Sequence, residues 1–163
     1  MDPIASRPYM PGYGIVGADE GSGLLPWSWA VERLTVSHDY WLATVWPDGR
    51  PHLMPVWGVW MEDALWFSSS GQARKTRNLA AEPRCTATTD NALEPVVIEG
   101  RAERVEAAEA VAGFAAAVNA KYDTEYPTEF FLENASFRLV PTVAIGLSES
   151  DFTGSPTRWR FSR

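Results

Sequence analysis

Three extended segments follow one another near the middle of the chain with only a few residues between them. Residues 40–46 and 52–61 flank a turn at Pro47-Asp48-Gly49, and Glu62-Asp63 separates the second segment from residues 65–69. Their Val, Trp, Tyr and Phe residues favour strands, whereas Pro, Asp and Gly favour turns. Connections this short join antiparallel strands, because a parallel pair needs a crossover of roughly a dozen residues or more. The chain is therefore constrained to an antiparallel sheet.

The rest of the chain adds strands and a few helices, without the regular alternation of strand and helix that builds a parallel sheet. Four more segments are predicted to be strands, namely residues 85–89, 96–105, 137–147 and 157–161. Three segments are predicted to be helices, namely residues 28–37, 74–81 and 106–122. We therefore expect a mainly β fold, a small barrel of six antiparallel strands with a few helices, rather than a doubly wound sheet.

The first 26 residues differ from the rest because they are rich in glycine and proline. This composition predicts an irregular N-terminal arm over residues 1–26, followed by a single domain over residues 27–163. Residues 123–134 are expected to form a loop whose aromatic anchors are Tyr126, Phe130 and Phe131. The arm and residues 122–131 are candidates for a substrate lid.

Charge and residue counts argue against several classes of function. The net charge is −7 and the pI is about 4.8, which disfavours general binding to nucleic acid or to anionic membranes. One cysteine and two histidines exclude a disulfide framework and argue against a metal site. No apolar run approaches the roughly 20 residues of a membrane span, and the acidic N-terminus is unlike a signal peptide. We expect a cytoplasmic domain that binds no nucleic acid, no membrane and no metal.

One stretch combines a strand end, a hydroxyl-rich turn and the cationic start of a helix. Its candidate binding residues are Ser68, Ser69, Ser70, Gln72, Arg74, Lys75, Arg77 and Asn78. Cations in the first turn of a helix oppose the helix dipole, which favours acidic residues there. An anion such as phosphate, held by hydroxyls, free backbone N–H groups and cations, explains the arrangement. The alternative is a solvated helix face whose arginines pair with acids elsewhere.

The strand predicted over residues 52–61 carries a second candidate feature. Pro55 removes a ladder hydrogen bond, which predicts that the strand is an edge or carries a bulge at this point. Gly58 allows another group to approach the backbone closely, and Trp57 and Trp60 lie on either side of it. This combination suits a planar ring against the main chain; the alternative is an ordinary bulge at the barrel rim. His52, at the start of the strand, is a candidate ligand contact.

No set of residues for protein-based catalysis is recognisable, so the catalytic residues are unknown. The chain has no Ser–His–Asp set, no carboxylate pair at a defined spacing and no glycine-rich phosphate loop. His38 is expected to cap a helix end, and Lys121 is expected on a solvated helix face. An enzyme with this sequence would take its chemistry from a cofactor.

These segments resemble the pyridoxamine 5′-phosphate oxidase-like superfamily. The motifs that carry the resemblance are Thr44-Val45-Trp46-Pro47-Asp48-Gly49-Arg50-Pro51-His52, Pro55-Val56-Trp57, Leu65-Trp66-Phe67-Ser68-Ser69, Ala73-Arg74-Lys75-Thr76-Arg77-Asn78-Leu79 and Pro83-Arg84. With Val97-Ile98-Glu99-Gly100-Arg101-Ala102 behind them, they look most like the flavin/deazaflavin oxidoreductase branch that uses coenzyme F420. The resemblance is good over residues 38–106 and weaker towards the end of the chain.

The resemblance implies a split β-barrel and a homodimer with two cofactor sites at the subunit interface. It implies that the ring system lies against Pro55, Val56 and Trp57. It also implies that the cofactor phosphate is held by the strand–turn–helix cluster, here Ser68, Ser69, Arg74, Lys75, Arg77 and Asn78. The oxidase proper carries an Arg and a Lys where this sequence has His52 and Trp57. That difference argues against FMN binding in the oxidase manner and fits the F420 branch.

The function implied is an F420H2-dependent reductase that transfers a hydride to an unsaturated small organic substrate. One alternative is an FMN-dependent oxidoreductase on the same fold. Another is a non-catalytic protein that binds F420, FMN or haem. Copurified FMN would indicate the first alternative, and tight cofactor binding without turnover would indicate the second.

Overall fold

A computed structural model describes residues 2–162, which form one antiparallel sheet of eight strands and four α-helices. The strands are β1 (Ile4–Ser6), β2 (Asp39–Val45), β3 (Pro51–Met61), β4 (Ala64–Ser69), β5 (Arg84–Thr89), β6 (Val96–Arg104), β7 (Ala135–Gly146) and β8 (Thr157–Arg160). The helices are α1 (Trp27–Val36), α2 (Arg74–Ala81), α3 (Ala108–Tyr122) and α4 (Thr128–Glu133). A short 3-10 turn spans Glu149–Asp151.

Six of these strands close into a barrel because β7 pairs along both of its edges. The order runs β7-β4-β3-β2-β5-β6, and β6 pairs again with β7. On its other edge, the first half of β7 pairs with β4 and the second half pairs with β8, which in turn pairs with β1. The six-stranded antiparallel barrel predicted from the sequence is confirmed, and β8 and β1 extend the sheet outside the closed ring.

A glycine lets the barrel close. A Cβ at Gly100 would lie 2.0 Å from the carbonyl oxygen of Val140, so no larger residue fits between β6 and β7 at this point. The register between the two strands shifts at Glu99 and Gly100, opposite Pro141. The bulge accommodates the proline, which has no N–H for the ladder, and β7 continues through it without a break.

Apolar side chains form two clusters that together position the helices. The first fills the barrel and includes the fully buried Tyr40, Leu42, Phe67, Ile98, Leu139 and Trp159. The second packs α3 and α4 against β3 and β4, and includes Val59, Trp66, Val111, Phe114, Val118 and Phe131. Because the second cluster lies outside the first, the two helices stand beside the barrel and leave a space along its flank.

Two segments differ from what the sequence predicts. The expected loop over residues 123–134 is wrong in its second half, because α4 begins after Pro127 and buries Phe131 against Phe114, with ring centroids 5.4 Å apart. The arm over residues 1–26 contains β1, which pairs with β8. Arg7 holds the arm in place by donating hydrogen bonds to the carbonyl oxygens of Gly17, Glu20, Gly23 and Pro156.

Candidate functional site

A cavity of about 470 Å³ opens between the barrel and the two helices α3 and α4. Its strand wall consists of Pro55, Val56 and Trp57 on β3. Its polar wall consists of Ser68, Ser69, Ser70, Ala73, Lys75 and Asn134. Its apolar wall consists of Phe114, Val118, Tyr126, Phe130 and Phe131. The two stretches that the sequence singled out therefore line one cavity.

Apart from Asn134, the polar wall is the turn between β4 and α2 together with the start of α2. β4 ends at Ser69, and α2 begins at Arg74. The Thr76 hydroxyl donates to the carbonyl oxygen of Ser70 at 2.7 Å, and the Gln72 N–H donates to Ser70 Oγ at 3.2 Å. These bonds keep the serine hydroxyls and the helix start together, because a helical residue is tied back to the turn that precedes it.

The start of α2 lacks the negative charge that helix starts favour. Its N-cap residue, Ala73, offers no side-chain acceptor, and the first turn contains no acid. Within residues 2–162, neither Arg74, Lys75 nor Arg77 has a carboxylate within ion-pair distance. The alternative of arginines paired with acids elsewhere is therefore wrong for the part of the chain that the structure describes.

An unpartnered hydroxyl lies in the same wall. Ser68 Oγ is buried and has no hydrogen-bond partner among the described residues, although Ser68 lines the cavity. A buried hydroxyl without a partner is unfavourable, because it has lost its hydrogen bonds to water and has formed none with the protein. A hydroxyl, a lysine ammonium and an uncapped helix start are complementary to an anion.

The strand wall is an open edge. Residues 51–57 of β3 pair with β2 on one side, whereas β4 pairs only with Gly58–Met61 on the other. Pro55 lies in the half of β3 that has no second neighbour among the described strands, and the register with β2 is continuous through it. Of the two possibilities that Pro55 allowed, the structure has the edge and not the bulge.

Trp57 forms the end of this wall and lies against α3. Its indole is parallel to the ring of Tyr122, with centroids 4.2 Å apart and an interplanar angle of 4°. Lys121, which the sequence analysis expected on a solvated face, is instead half-buried, and its ammonium donates to the carbonyl oxygens of Ser37 and Gly58. Burial lowers the pKa of Lys121 to about 8, against the opposing attraction of Asp39 and Asp90.

The apolar wall combines buried and exposed aromatic side chains. Phe114 and Phe131 are buried in the second core, whereas Tyr126 and Phe130 are 43% and 42% exposed. Tyr126 and Phe130 stack on each other with centroids 4.7 Å apart. The sequence analysis named Tyr126, Phe130 and Phe131 but missed Phe114, Val118 and Asn134. The helical spacing of Phe114 and Val118 marked a buried face without indicating that a cavity borders it.

The other predicted site residues lie outside the cavity lining. The Arg74 guanidinium lies 3.9 Å above the Trp46 ring, and the His52 ring lies 6.3 Å from the same indole. Gln72 and Arg77 are exposed. Asn78 is fully buried, and its amide donates to Thr44 Oγ1 at 3.1 Å, which makes it a link between α2 and β2.

The structure thus brings seven of the twelve predicted residues into the cavity, namely Pro55, Val56, Trp57, Ser68, Ser69, Ser70 and Lys75.

In residues 2–162, no helix is long and apolar enough to cross a bilayer. No group of three or more His, Cys, Asp or Glu side chains in that range is arranged to hold a metal ion. The cavity is also free of the arm, since none of its lining residues comes from residues 2–26.

Comparison with known proteins places this architecture in a family. The sequence family described as pyridoxamine 5′-phosphate oxidase matches residues 30–147, which include β2 to β7 and the whole cavity lining. The chain belongs to this family. A comparison with curated proteins found no match. The family assignment agrees with the resemblance noted in the sequence and with the closed barrel.

Solved structures agree with this assignment. A structure titled F420 reductase is 27% identical and has a TM-score of 0.58, with 69% of this chain and 93% of that chain covered. A conserved hypothetical protein from Mycobacterium tuberculosis is 21% identical over 90% of this chain and 87% of that one, with a TM-score of 0.66. A FAD-binding protein from Mesorhizobium loti is 20% identical over 82% and 94%, with a TM-score of 0.61. This family member therefore has the fold of flavin- and deazaflavin-binding oxidoreductases.

Proposed function

We propose that this protein is an F420H2-dependent reductase that transfers a hydride to an unsaturated small organic substrate. The observation that carries the proposal is one cavity in which an acid-free helix start, with Lys75 and the unpartnered Ser68 hydroxyl, faces a strand edge with Trp57. The similarity to a structure titled F420 reductase supports the choice of F420 over FMN. The presence of His52 and Trp57, where the oxidase proper carries cations, supports the same choice.

The residues of the polar wall fit the phosphate of such a cofactor. Lys75 would supply the charge, and Ser68, Ser69 and Ser70 would supply hydroxyl donors. The N–H groups in the first turn of α2 are free for an anion because Ala73 cannot cap them. The Ser68 hydroxyl would gain the partner that it lacks in the protein alone.

The strand and apolar walls fit a flat ring system and a substrate beside it. Pro55, Val56 and Trp57 would support the ring, because an open strand edge presents backbone groups to a planar heterocycle. Phe114, Tyr126, Phe130 and Phe131 face the same space with apolar surface. A volume of about 470 Å³ lies within the roughly 300–1,000 Å³ of typical ligand pockets.

The chain's own contribution is binding, orientation and exclusion of water. The bound cofactor supplies the hydride that reduces the unsaturated bond. Within the described residues, the lining contains no carboxylate and no imidazole, so the ionisable and hydroxyl side chains there are those of Lys75, the serines and Tyr126. The aromatic wall would keep water away from a ring bound in the cavity and so limit competing reactions.

The same proposal includes a homodimer. The outward face of β2 and β3 exposes large apolar side chains, namely Trp41, Val45, Leu53 and Trp57. Burial of apolar surface beside an open strand edge is favourable. A second copy of the chain would bury this surface next to the cavity. Analytical ultracentrifugation tests this: a monomer at micromolar concentration contradicts the dimer.

The deciding experiment is a parallel titration of the purified, ligand-stripped protein with F420 and with FMN, followed by fluorescence. Tighter binding of F420, with turnover of an enone or quinone panel by F420H2, supports the proposal. Tighter binding of FMN moves the function to an FMN-dependent oxidoreductase. Binding of neither cofactor contradicts the assignment of the cavity.

A further inference from the structure

The hydrogen-bond ladder between β2 and β3 is continued by a side chain. Its last pair is Asp39 and Trp57, so the same register makes His38 and Gly58 the next pair. Instead of bonding directly, these two peptides are bridged by Tyr122. The Tyr122 hydroxyl accepts a hydrogen bond from the Gly58 N–H at 2.9 Å and donates one to the His38 carbonyl oxygen. The last residue of α3 thus replaces one rung of the sheet.

Lys121 holds the carbonyl group of the same residue, Gly58. Its ammonium donates to the carbonyl oxygens of Gly58 at 2.7 Å and Ser37 at 2.6 Å, and to the Tyr40 hydroxyl at 3.2 Å. An ammonium has three N–H donors, and these contacts use all three. The backbone N–H and the backbone carbonyl of Gly58 are therefore held by adjacent residues of one helix.

This bridge acts directly on a wall of the cavity. Gly58 follows Trp57, whose indole lines the cavity and is 46% exposed. The Tyr122 ring lies parallel to that indole, so Tyr122 contacts Trp57 through its ring and the following peptide through its hydroxyl. The cavity itself borders α3 at Phe114 and Val118, so the same helix that forms the apolar wall also holds the strand wall.

We propose that Tyr122 and Lys121 are positioning residues that hold Trp57 in the orientation in which it supports the cofactor ring. The inference rests on the proposed function, since the ring is what Trp57 is held against. Neither residue lines the cavity itself, so both act through Trp57 and Gly58. The ring of Tyr122 restrains the indole, and the hydroxyl of Tyr122 and the ammonium of Lys121 restrain the backbone.

Three variants separate these contributions. Tyr122→Phe keeps the stacked ring and removes the bridge, Tyr122→Leu removes both, and Lys121→Met removes only the ammonium. Ser155→Ala is a matched control, because it removes a buried hydroxyl that also makes two hydrogen bonds, both to the Ser148 backbone and outside the cavity lining.

Two readouts are taken on each folded variant. The indole N–H signal of Trp57, identified by its loss in Trp57→Phe, is followed by 15N NMR in the cofactor-free protein. The dissociation constants for F420 and FMN are measured by fluorescence. We expect Tyr122→Leu to move the Trp57 signal and to weaken binding about tenfold, in line with the free energy of an aromatic pair. We expect Tyr122→Phe to weaken binding about threefold, the effect of one neutral hydrogen bond. Lys121→Met should also move the signal, and Ser155→Ala should move neither readout.

The outcomes separate this inference from the proposed function. If the wild type binds a cofactor and a folded Tyr122→Leu protein binds it equally well, the positioning role is overturned while the function stands. If the wild type binds neither cofactor, the proposed function fails and the NMR signal decides: an unmoved Trp57 signal overturns the positioning role, and a moved one supports it. If Tyr122→Leu does not fold, Tyr122→Phe and Lys121→Met apply the same criteria.

Discussion

The chain has two lysines, and they lie at opposite ends of two helices. Lys75 lies in the first turn of α2, where the helix dipole disfavours a cation, and it has no carboxylate partner among residues 2–162. Lys121 lies in the last turn of α3, where the dipole favours a cation, and its three donors meet three protein acceptors. One lysine is satisfied by the protein and the other is not.

The difference shows how a binding residue is distinguished from a structural one of the same type. A satisfied cation contributes to the fold, because removing it leaves buried acceptors without donors. An unsatisfied cation beside a cavity contributes little to the fold and has its full electrostatic attraction available to a ligand. The four predictions that follow test this contrast.

The largest expected effect is on stability, from Lys121→Met. Removal of the ammonium leaves the carbonyl oxygens of Ser37 and Gly58 without this donor, and we expect a loss of about 3 kcal/mol in the free energy of unfolding. Urea denaturation followed by far-UV circular dichroism measures it. Lys75→Met is the matched control and should change the value by less than about 0.5 kcal/mol. Equal losses of unfolding free energy in the two variants would contradict the difference between the two lysines.

The second effect is on binding, from Lys75→Ala. Loss of a charged hydrogen-bond donor to phosphate should weaken cofactor binding about tenfold or more, with an unchanged urea midpoint. Arg77→Ala tests the sequence-based assignment against the structure, because Arg77 is exposed and outside the cavity lining. We expect a change of about twofold or less for that variant. An effect of Arg77→Ala as large as that of Lys75→Ala would favour the assignment made from sequence alone, which included both residues.

A smaller effect is expected from Ser68→Ala, which extends the contrast to a neutral group. Because Ser68 Oγ has no partner among the described residues, its removal should leave the melting temperature unchanged or raise it. Cofactor binding should weaken about threefold, the effect of one neutral hydrogen bond. Calorimetry measures the melting temperature, and the same fluorescence titration measures the dissociation constant of the cofactor. Lower thermal stability together with unchanged binding would show that the hydroxyl serves the fold.

The smallest effect is the pH dependence of stability. Burial lowers the pKa of Lys121 to about 8 in the folded protein, whereas a lysine in an unfolded chain titrates near about 10.4. Between these values the unfolded chain binds more protons, so the contribution of Lys121 to the free energy of unfolding rises with pH. The stability difference between wild type and Lys121→Met should therefore grow from pH 8 to pH 9.5. A difference that stays constant with pH would contradict the lowered pKa.

Local patterns in the sequence predicted the parts of the site that depend on neighbours in the chain. Pro55 indicated an edge or a bulge because a proline cannot donate to a ladder, whatever surrounds it, and the structure has the edge. Ser68, Ser69, Ser70 and Lys75 belong to one turn and one helix start, so their proximity follows from a few residues of backbone. Asn78 and Arg77 lie outside the cavity lining, because which side of α2 faces β2 is decided by packing against the barrel.

Contacts between distant parts of the chain were not available from sequence. Lys121 follows a helical pattern that predicts a solvated face, yet it reaches Ser37 and Gly58, which precede it by more than sixty residues. Phe114 and Val118 have the spacing of ordinary core residues, and only the gap between α3 and the barrel makes them part of a cavity wall. Residues 123–134 were expected to form a loop, but α4 forms in their second half because Phe131 is buried against α3.

By itself, the sequence determined that the strands are antiparallel, that they form a barrel, and that one turn–helix junction concentrates positive charge. Turn chemistry, residue periodicity and helix electrostatics act over a few residues, so each can be recognised locally. Only the tertiary structure decided which of the candidate residues face the cavity and which lysine is satisfied. Those properties depend on which side of each helix packs on the barrel, and packing is settled by all the contacts of the folded chain together.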